Sequence, residues 1–210
     1  MRKGLIFDKN KDMTAEQTGT PKRRNRKIPA KLIREELKGE PLYYKGYRGV
    51  LNGNKKIEEI MGSSSLQSYL VGLVYGILFS LINRKNYIIT TNETGLHLGH
   101  KNNLSTDIAI FLKKNVVLND KYFEIAPEIA IEVDVKIETD KELDYIFAKS
   151  EEMLMYGTKK ILWIITKHKK VFIITQGETT QIVDWDKDIY LMENITINIF
   201  RMLSEEGLTQ

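Results

Sequence analysis

The chain has no cysteine among its 210 residues, which rules out both a disulfide framework and a thiolate metal site. Histidine is nearly as scarce. His97, His100 and His168 have no ligand-like spacing with one another, so an imidazole-built metal centre is not expected and all three read as surface residues. There are only four prolines and two tryptophans. No Gly-rich phosphate loop and no Ser-His-Asp arrangement can be assembled. The longest apolar run, Tyr69 to Ile82, covers 14 residues, short of the roughly 20 that a membrane-spanning helix needs. It predicts a buried helix instead. The N-terminal Met-Arg-Lys-Gly-Leu-Ile-Phe leads into polar sequence from Asp8, and its three apolar residues fall short of the apolar centre of a secretory signal. A cytoplasmic protein with no membrane partner is the expectation. The charge balance is +4, a mild lean toward a polyanionic partner.

Apolar residues at 42% and charged residues at 29% suit one soluble globular domain. Residues 1–27 contain few apolar side chains and end in Pro-Lys-Arg-Arg-Asn-Arg-Lys, five basic residues in seven. They read as a flexible basic tail, with residues 28–210 as a single domain. Tyr43, Tyr44 and Tyr47 interleave with Lys45 and Arg48, a pattern that can stack bases but is commoner on an ordinary half-buried surface.

A break at Gly62-Ser63-Ser64-Ser65 precedes a helix over about 66–83 that is apolar nearly all round. Extended pieces follow at 87–91 and 95–98, then a strand over 105–112. The most informative stretch is Pro127 to Lys136. Its strict alternation puts Ile129, Ile131, Val133 and Val135 on one strand face and Glu132, Asp134 and Lys136 on the other. An amphipathic helix over 140–156 comes next, then strands at 160–166 and 170–175 and a short one at 181–184. The order implies an α/β fold with a mixed central β-sheet flanked by helices. The crossover from Glu132 to Ile161 is long enough for a parallel βαβ unit.

Charge on a core strand needs solvent, a partner or a metal. If the strands of Asp107 and Glu132 are neighbours, their carboxylates meet. Two hard oxygen ligands with room for water suit Mg²⁺ or Mn²⁺, and such a site serves phosphodiester chemistry. Plainer roles stand beside this one. Asp107 can cap a strand end or pair with Lys149, Glu132 and Asp134 can be an edge-strand charge face, and Lys149 can be a solvated helix flank. Trp163 reads as core packing.

The combination resembles the PD-(D/E)XK nuclease superfamily. More closely, Ser105-Thr106-Asp107, Pro127-Glu-Ile-Ala-Ile-Glu132-Val133, a helix carrying Lys149, and Tyr156-Gly157-Thr-Lys-Lys-Ile-Leu-Trp163-Ile-Ile look like the bacterial Uma-type restriction endonuclease family. The likeness spans residues 28–199. It implies a restriction-endonuclease-like fold, Asp107 and Glu132 as metal ligands, Lys149 as the lysine carried on the following helix, and DNA as substrate. The sequence departs from the pattern at three points. Asp134 occupies the position two after Glu132 where the superfamily normally has lysine, so Asp134 and Lys136 form a second acid-x-lysine and an alternative register. Asp107 follows Ser-Thr rather than proline. The acid expected from the first helix has no counterpart, with Gln67, Glu58 and Glu59 the nearest candidates. Two further readings follow: a nuclease-fold module that binds nucleic acid without turnover, and an interaction protein that pairs through the 66–83 helix into a homodimer.

Overall fold

The computed structural model describes residues 28–208; the N-terminal tail expected at 1–27 lies outside the described residues. Its order is β1 (Ile33–Leu37), β2 (Glu40–Tyr43), α1 (Tyr47–Leu51), α2 (Glu58–Met61), α3 (Ser65–Leu81), β3 (Tyr87–His97), β4 (Asn103–Leu112) and β5 (Ile129–Asp134). Then come α4 (Asp140–Met155), β6 (Lys160–Ile165), β7 (Lys170–Thr175), β8 (Gln181–Asp184), β9 (Ile189–Met192), β10 (Ile195–Ile197) and α5 (Ile199–Glu205).

Eight strands form one mixed sheet in the order β2-β1-β4-β5-β6-β7-β8, with β3 paired to β4; β9 and β10 make a separate hairpin. The parallel pair is β5 with β6, joined through α4, and Glu132 lies opposite Trp163 in its register. The crossover expected from the sequence is thus present. The pieces expected at 87–91 and 95–98 belong to one long strand. Its register against β4 shifts between Thr91 and Thr94, where Asn92 and Glu93 take positive φ values of 70° and 54°. That bulge re-aims the Glu93 side chain.

Strand alternation divides the core into two layers. Ile108, Ile110, Ile129, Ile131 and Val133 pack with Leu70, Val74 and Leu78 of α3. Ala109, Phe111, Ala130 and Trp163 pack on the opposite face with Ile146 and Met153 of α4. By the same period of two, Asp107 and Glu132 belong to the α4 face. The helix at α3 is less enclosed than its composition implies. Leu70, Val74 and Leu78 are fully buried, whereas Tyr69 and Phe79 are each 40% exposed and Leu81 is 54% exposed. An apolar composition without polar positions carries no periodic signal of which face is covered.

The entry and exit of α4 are well defined. Thr139 Oγ1 accepts from Glu142 N and the Glu142 carboxylate accepts from Thr139 N, a capping box. At the other end Gly157 has φ of 112°, a conformation strained for any residue with a Cβ. These signals fix the length of α4 and therefore where Lys149 meets the sheet.

Candidate active site

One edge of β4 is shared between two partners. Near its start Asn103 pairs with Glu36 of β1, and further on Ile108, Ala109 and Ile110 pair with Ile131, Ala130 and Ile129 of β5. Between these, around Ser105 to Asp107, the edge of β4 lies in a fork where the ladder stops. Backbone groups at such a point need other partners. Side chains supply them. Ser105 N donates to Glu35 Oε1 at 3.0 Å and Val133 N donates to Asp107 Oδ2 at 2.7 Å. Ser105 O accepts from Lys149 Nζ at 2.6 Å, and Val133 O accepts from Gln67 Nε2 at 2.5 Å.

A pocket of about 70 Å³ opens in this fork, walled by Glu35, Glu93, Asp107, Glu132 and Asp134 and by the cations Arg34 and Lys149. The volume admits about two waters. Five carboxylates against two cations make it a sink for positive charge.

Lys149 occupies the centre of the charge network. Its Nζ lies 2.8 Å from Glu35 Oε1 and 2.9 Å from Glu132 Oε1, and donates to the Tyr145 hydroxyl at 3.2 Å. Glu132 Oε1 nevertheless has no aligned hydrogen-bond donor, so its contact with Lys149 is electrostatic. Tyr145 OH in turn donates to Glu35 Oε2 at 2.6 Å, and Arg34 donates to the same phenol at 2.5 Å. Trp163 seals the floor: it is buried, its Nε1 donates to Ser150 Oγ at 3.0 Å, and its ring meets Tyr145 edge-on.

The carboxylates differ sharply. Burial pushes Glu132 up to about 8, with Lys149 opposing it and Asp107 and Glu35 adding to it. Burial also raises Asp107 to about 6, against the lowering effect of the Val133 N–H. Glu35 is equally buried, but Lys149 and Arg34 outweigh its desolvation and hold it down at about 2. Lys149 stays well above the ordinary lysine range, because Glu132 and Glu35 outweigh burial. One carboxylate is therefore matched by the protein's own cations, and two are not. A buried Glu132 with an unpartnered Oε1 beside a partly buried Asp107 offers two hard oxygen ligands, which fits a divalent cation held through one or two carboxylates and water. Among the described residues no three acidic, histidine or cysteine side chains form a ready-made metal cage, so water or substrate oxygens would complete the shell.

Asp107, Glu132 and Lys149, expected from the sequence, meet here together with Asp134. Asp134 accepts from Val135 N at 2.7 Å. Lys136 pairs with Glu138 and lines the neighbouring groove instead of this pocket. Glu58 and Glu59 do not reach the site, and Gln67 does. The residues that sequence reasoning missed are Glu35, Arg34, Tyr145 and Glu93. Glu35 left one trace: in Ile33-Arg-Glu-Glu-Leu37 it alternates onto the same face as Leu37, an acid at an inward strand position.

Neither a family model nor a curated protein matches the sequence. Among solved structures, the chain is similar to the crystal structure described as "a putative nuclease belonging to DUF820" from Anabaena variabilis ATCC 29413. The TM-score is 0.61 at 14% identity, over 81% of this chain and 89% of that one. The protein has the mixed α/β fold of that structure, a large mixed sheet flanked by helices.

Proposed function

We propose that the protein is a metal-dependent endonuclease that hydrolyses phosphodiester bonds in DNA, and that it belongs to the Uma-type family of the PD-(D/E)XK superfamily. The observation that carries this reading is the pairing of buried Glu132 with partly buried Asp107 beside a charged Lys149 in the fork of β4. Asp107 and Glu132 would hold Mg²⁺ or Mn²⁺, which lowers the pKa of a coordinated water and offsets charge on the phosphodiester. Lys149, with its pKa raised, remains an ammonium and acts as a fixed positive charge; it does not take a proton from water. Glu35 and Tyr145 hold that ammonium in place, and Arg34, 35% exposed, lines both the pocket and the groove beside it, where it would meet an arriving phosphate. Asp134 adds a carboxylate at the mouth. Lys136 is the lysine of the alternative register and, from the adjoining groove, would meet the substrate backbone. The cytoplasm is the compartment this reading assigns.

A second reading has its own support. The Lys149 ammonium faces Glu35, Ser105 O, Glu132 and Tyr145 at once, which leaves no proton free for a substrate. The same contacts suit a module that binds nucleic acid without cutting it. The exposed apolar side of α3 would serve a separate case, an interaction protein that pairs into a homodimer.

Cleavage of plasmid and single-stranded DNA in Mg²⁺ and Mn²⁺ separates the two. The nuclease reading expects cutting by wild type and none by Asp107→Ala or Glu132→Ala. Folded wild type that neither binds Mn²⁺ nor cuts either DNA overturns it in favour of the binding module if DNA is bound, and in favour of the interaction protein if light scattering gives a dimer that ignores DNA.

A further inference from the structure

Beside the carboxylate pocket lies a larger groove of about 460 Å³, a size in the range of small-molecule and cofactor sites. Arg34, Gln67, Glu93, Asp134 and Tyr145 line both spaces, so they are continuous. Away from that shared end the character changes. Tyr43, Tyr44 and Lys45 at the end of β2 form part of the lining, and Lys136 and Lys141, around the start of α4, form another.

The aromatic part is held from behind. The Tyr43 ring stacks on Tyr47 at 4.8 Å between centroids and 28° between planes, and the Arg48 guanidinium lies over Tyr47 at 5.9 Å. Gly46, with φ of 89°, turns the chain between them. Tyr43 and Tyr44 are only half-buried. Among the cations, Lys45 pairs with Glu142 at 2.7 Å and Lys136 pairs with Glu138. Lys141 is exposed and makes no ion pair among the described residues. Beyond the shared acidic end, three lysines face a single lining carboxylate, Glu142.

We infer that this groove is a subsite for an unpaired DNA strand, in which a base stacks against Tyr44 while Lys136, Lys141 and Arg34 follow the backbone toward the carboxylate pocket. The inference rests on the nuclease reading and names its substrate class: DNA with a single-stranded segment. Aromatic rings beside a basic track are the chemistry of single-strand binding, because every unpaired base has a π-face to offer. In a duplex those faces are covered by neighbouring bases. The polarity of the groove fits as well, with lysines where phosphates pass and carboxylates where a cation would sit between protein and phosphate.

Fluorescence anisotropy in Ca²⁺ tests the proposal, with labelled oligo(dT) and the duplex of the same strand with oligo(dA) as probes. Wild type is expected to bind the single strand at least about tenfold more tightly. Tyr44→Ala should weaken that binding about 5- to 150-fold, the range of one lost base–aromatic stack, and Tyr44→Phe should retain it. Lys141→Gln should reduce the slope of log affinity against log salt by about 0.7, one single-strand phosphate contact. If Tyr44→Ala lowers the thermal midpoint, Tyr44→Phe and Lys141→Gln decide. Equal affinity for both probes, unchanged binding by Tyr44→Ala, or no binding of either probe overturns the groove assignment. Single-strand binding without cleavage under any metal would overturn the nuclease reading and leave the groove standing. Cleavage insensitive to Tyr44→Ala, with no single-strand preference, would do the reverse.

Discussion

Lys149 Nζ and Glu35 Oε1 lie 2.8 Å apart with their side chains 2% and 1% exposed, an ion pair almost wholly withdrawn from water. The two residues come from elements more than a hundred positions apart in the chain. Their pairing fastens β1 to α4 across the edge of the sheet, and it decides which of the neighbouring carboxylates keeps its charge.

Removing one member of this pair leaves the other buried with one counter-charge fewer, Lys149 facing only Glu132 and Glu35 only Arg34 among the described residues. Glu35→Gln is expected to lower stability by about 3–5 kcal/mol in urea denaturation. Glu35→Gln combined with Lys149→Met should be less damaging than the sum of the single changes. Additive losses would mean that the pair is not coupled. The pH trend has a defined sign. Glu35 is held at about 2 against its usual 4.5, so its contribution is complete above pH 4.5 and disappears as pH falls from there toward 2.

Glu132 behaves oppositely in the metal-free protein. Its carboxyl is raised to about 8 from 4.5, so between those pH values the folded chain holds a proton that the unfolded chain has released. Stability therefore falls as pH rises through this window. Glu132→Gln removes the titration, so its thermal midpoint should gain on wild type between pH 5 and pH 9. A constant difference across that range would show that Glu132 is not the group responsible.

Metal affinity should carry the same signature. With Asp107 near 6 and Glu132 near 8, Mn²⁺ must displace about one proton at pH 7, largely from Glu132. Calorimetry in buffers of different ionisation enthalpy should register that release, with affinity climbing from pH 6 to pH 8.5. Asp107→Ala should abolish the binding. Affinity independent of pH would place the metal elsewhere.

Lys149→Met should reduce cleavage about 10²- to 10³-fold, the usual effect of losing one preorganised donor or charge. Because Lys149 stays charged throughout the working range, it contributes no limb to the pH profile of the wild type. A profile with a basic limb that vanishes in Lys149→Met would assign the lysine a proton-transfer role instead.

Asp107 and Glu132 were readable from sequence because a strand's period of two leaves a charged residue conspicuous on an apolar ladder, and β4 and β5 are each long enough to display it. The parallel return to β6 was readable from the helix between. Glu35 was not, because β1 has five residues and only Leu37 marks its inward face. Its role depends on Ser105 and Lys149, about 70 and 114 positions away. Lys149 itself is ambiguous in the sequence: on the flank of an amphipathic helix only the neighbouring sheet decides whether a lysine is solvated or buried. The partial exposure of α3 was hidden for a related reason, since a helix without charges does not announce its outer side.

The fork in β4 also shapes how the molecule breathes. β1 and β2 join the rest of the sheet through the single registered pair Glu36–Asn103, the bonds that Lys38 N and Gly39 N donate to Asn102 Oδ1 and Lys101 O, and the side chains gathered around Ser105. The β3–β4–β5 ladder does not depend on that hairpin. Amide protons of β1 should therefore exchange through a local opening well below the energy of global unfolding, ahead of those in β4 and β5. Such an opening would also uncover the carboxylate pocket, because Glu35 leaves with its strand.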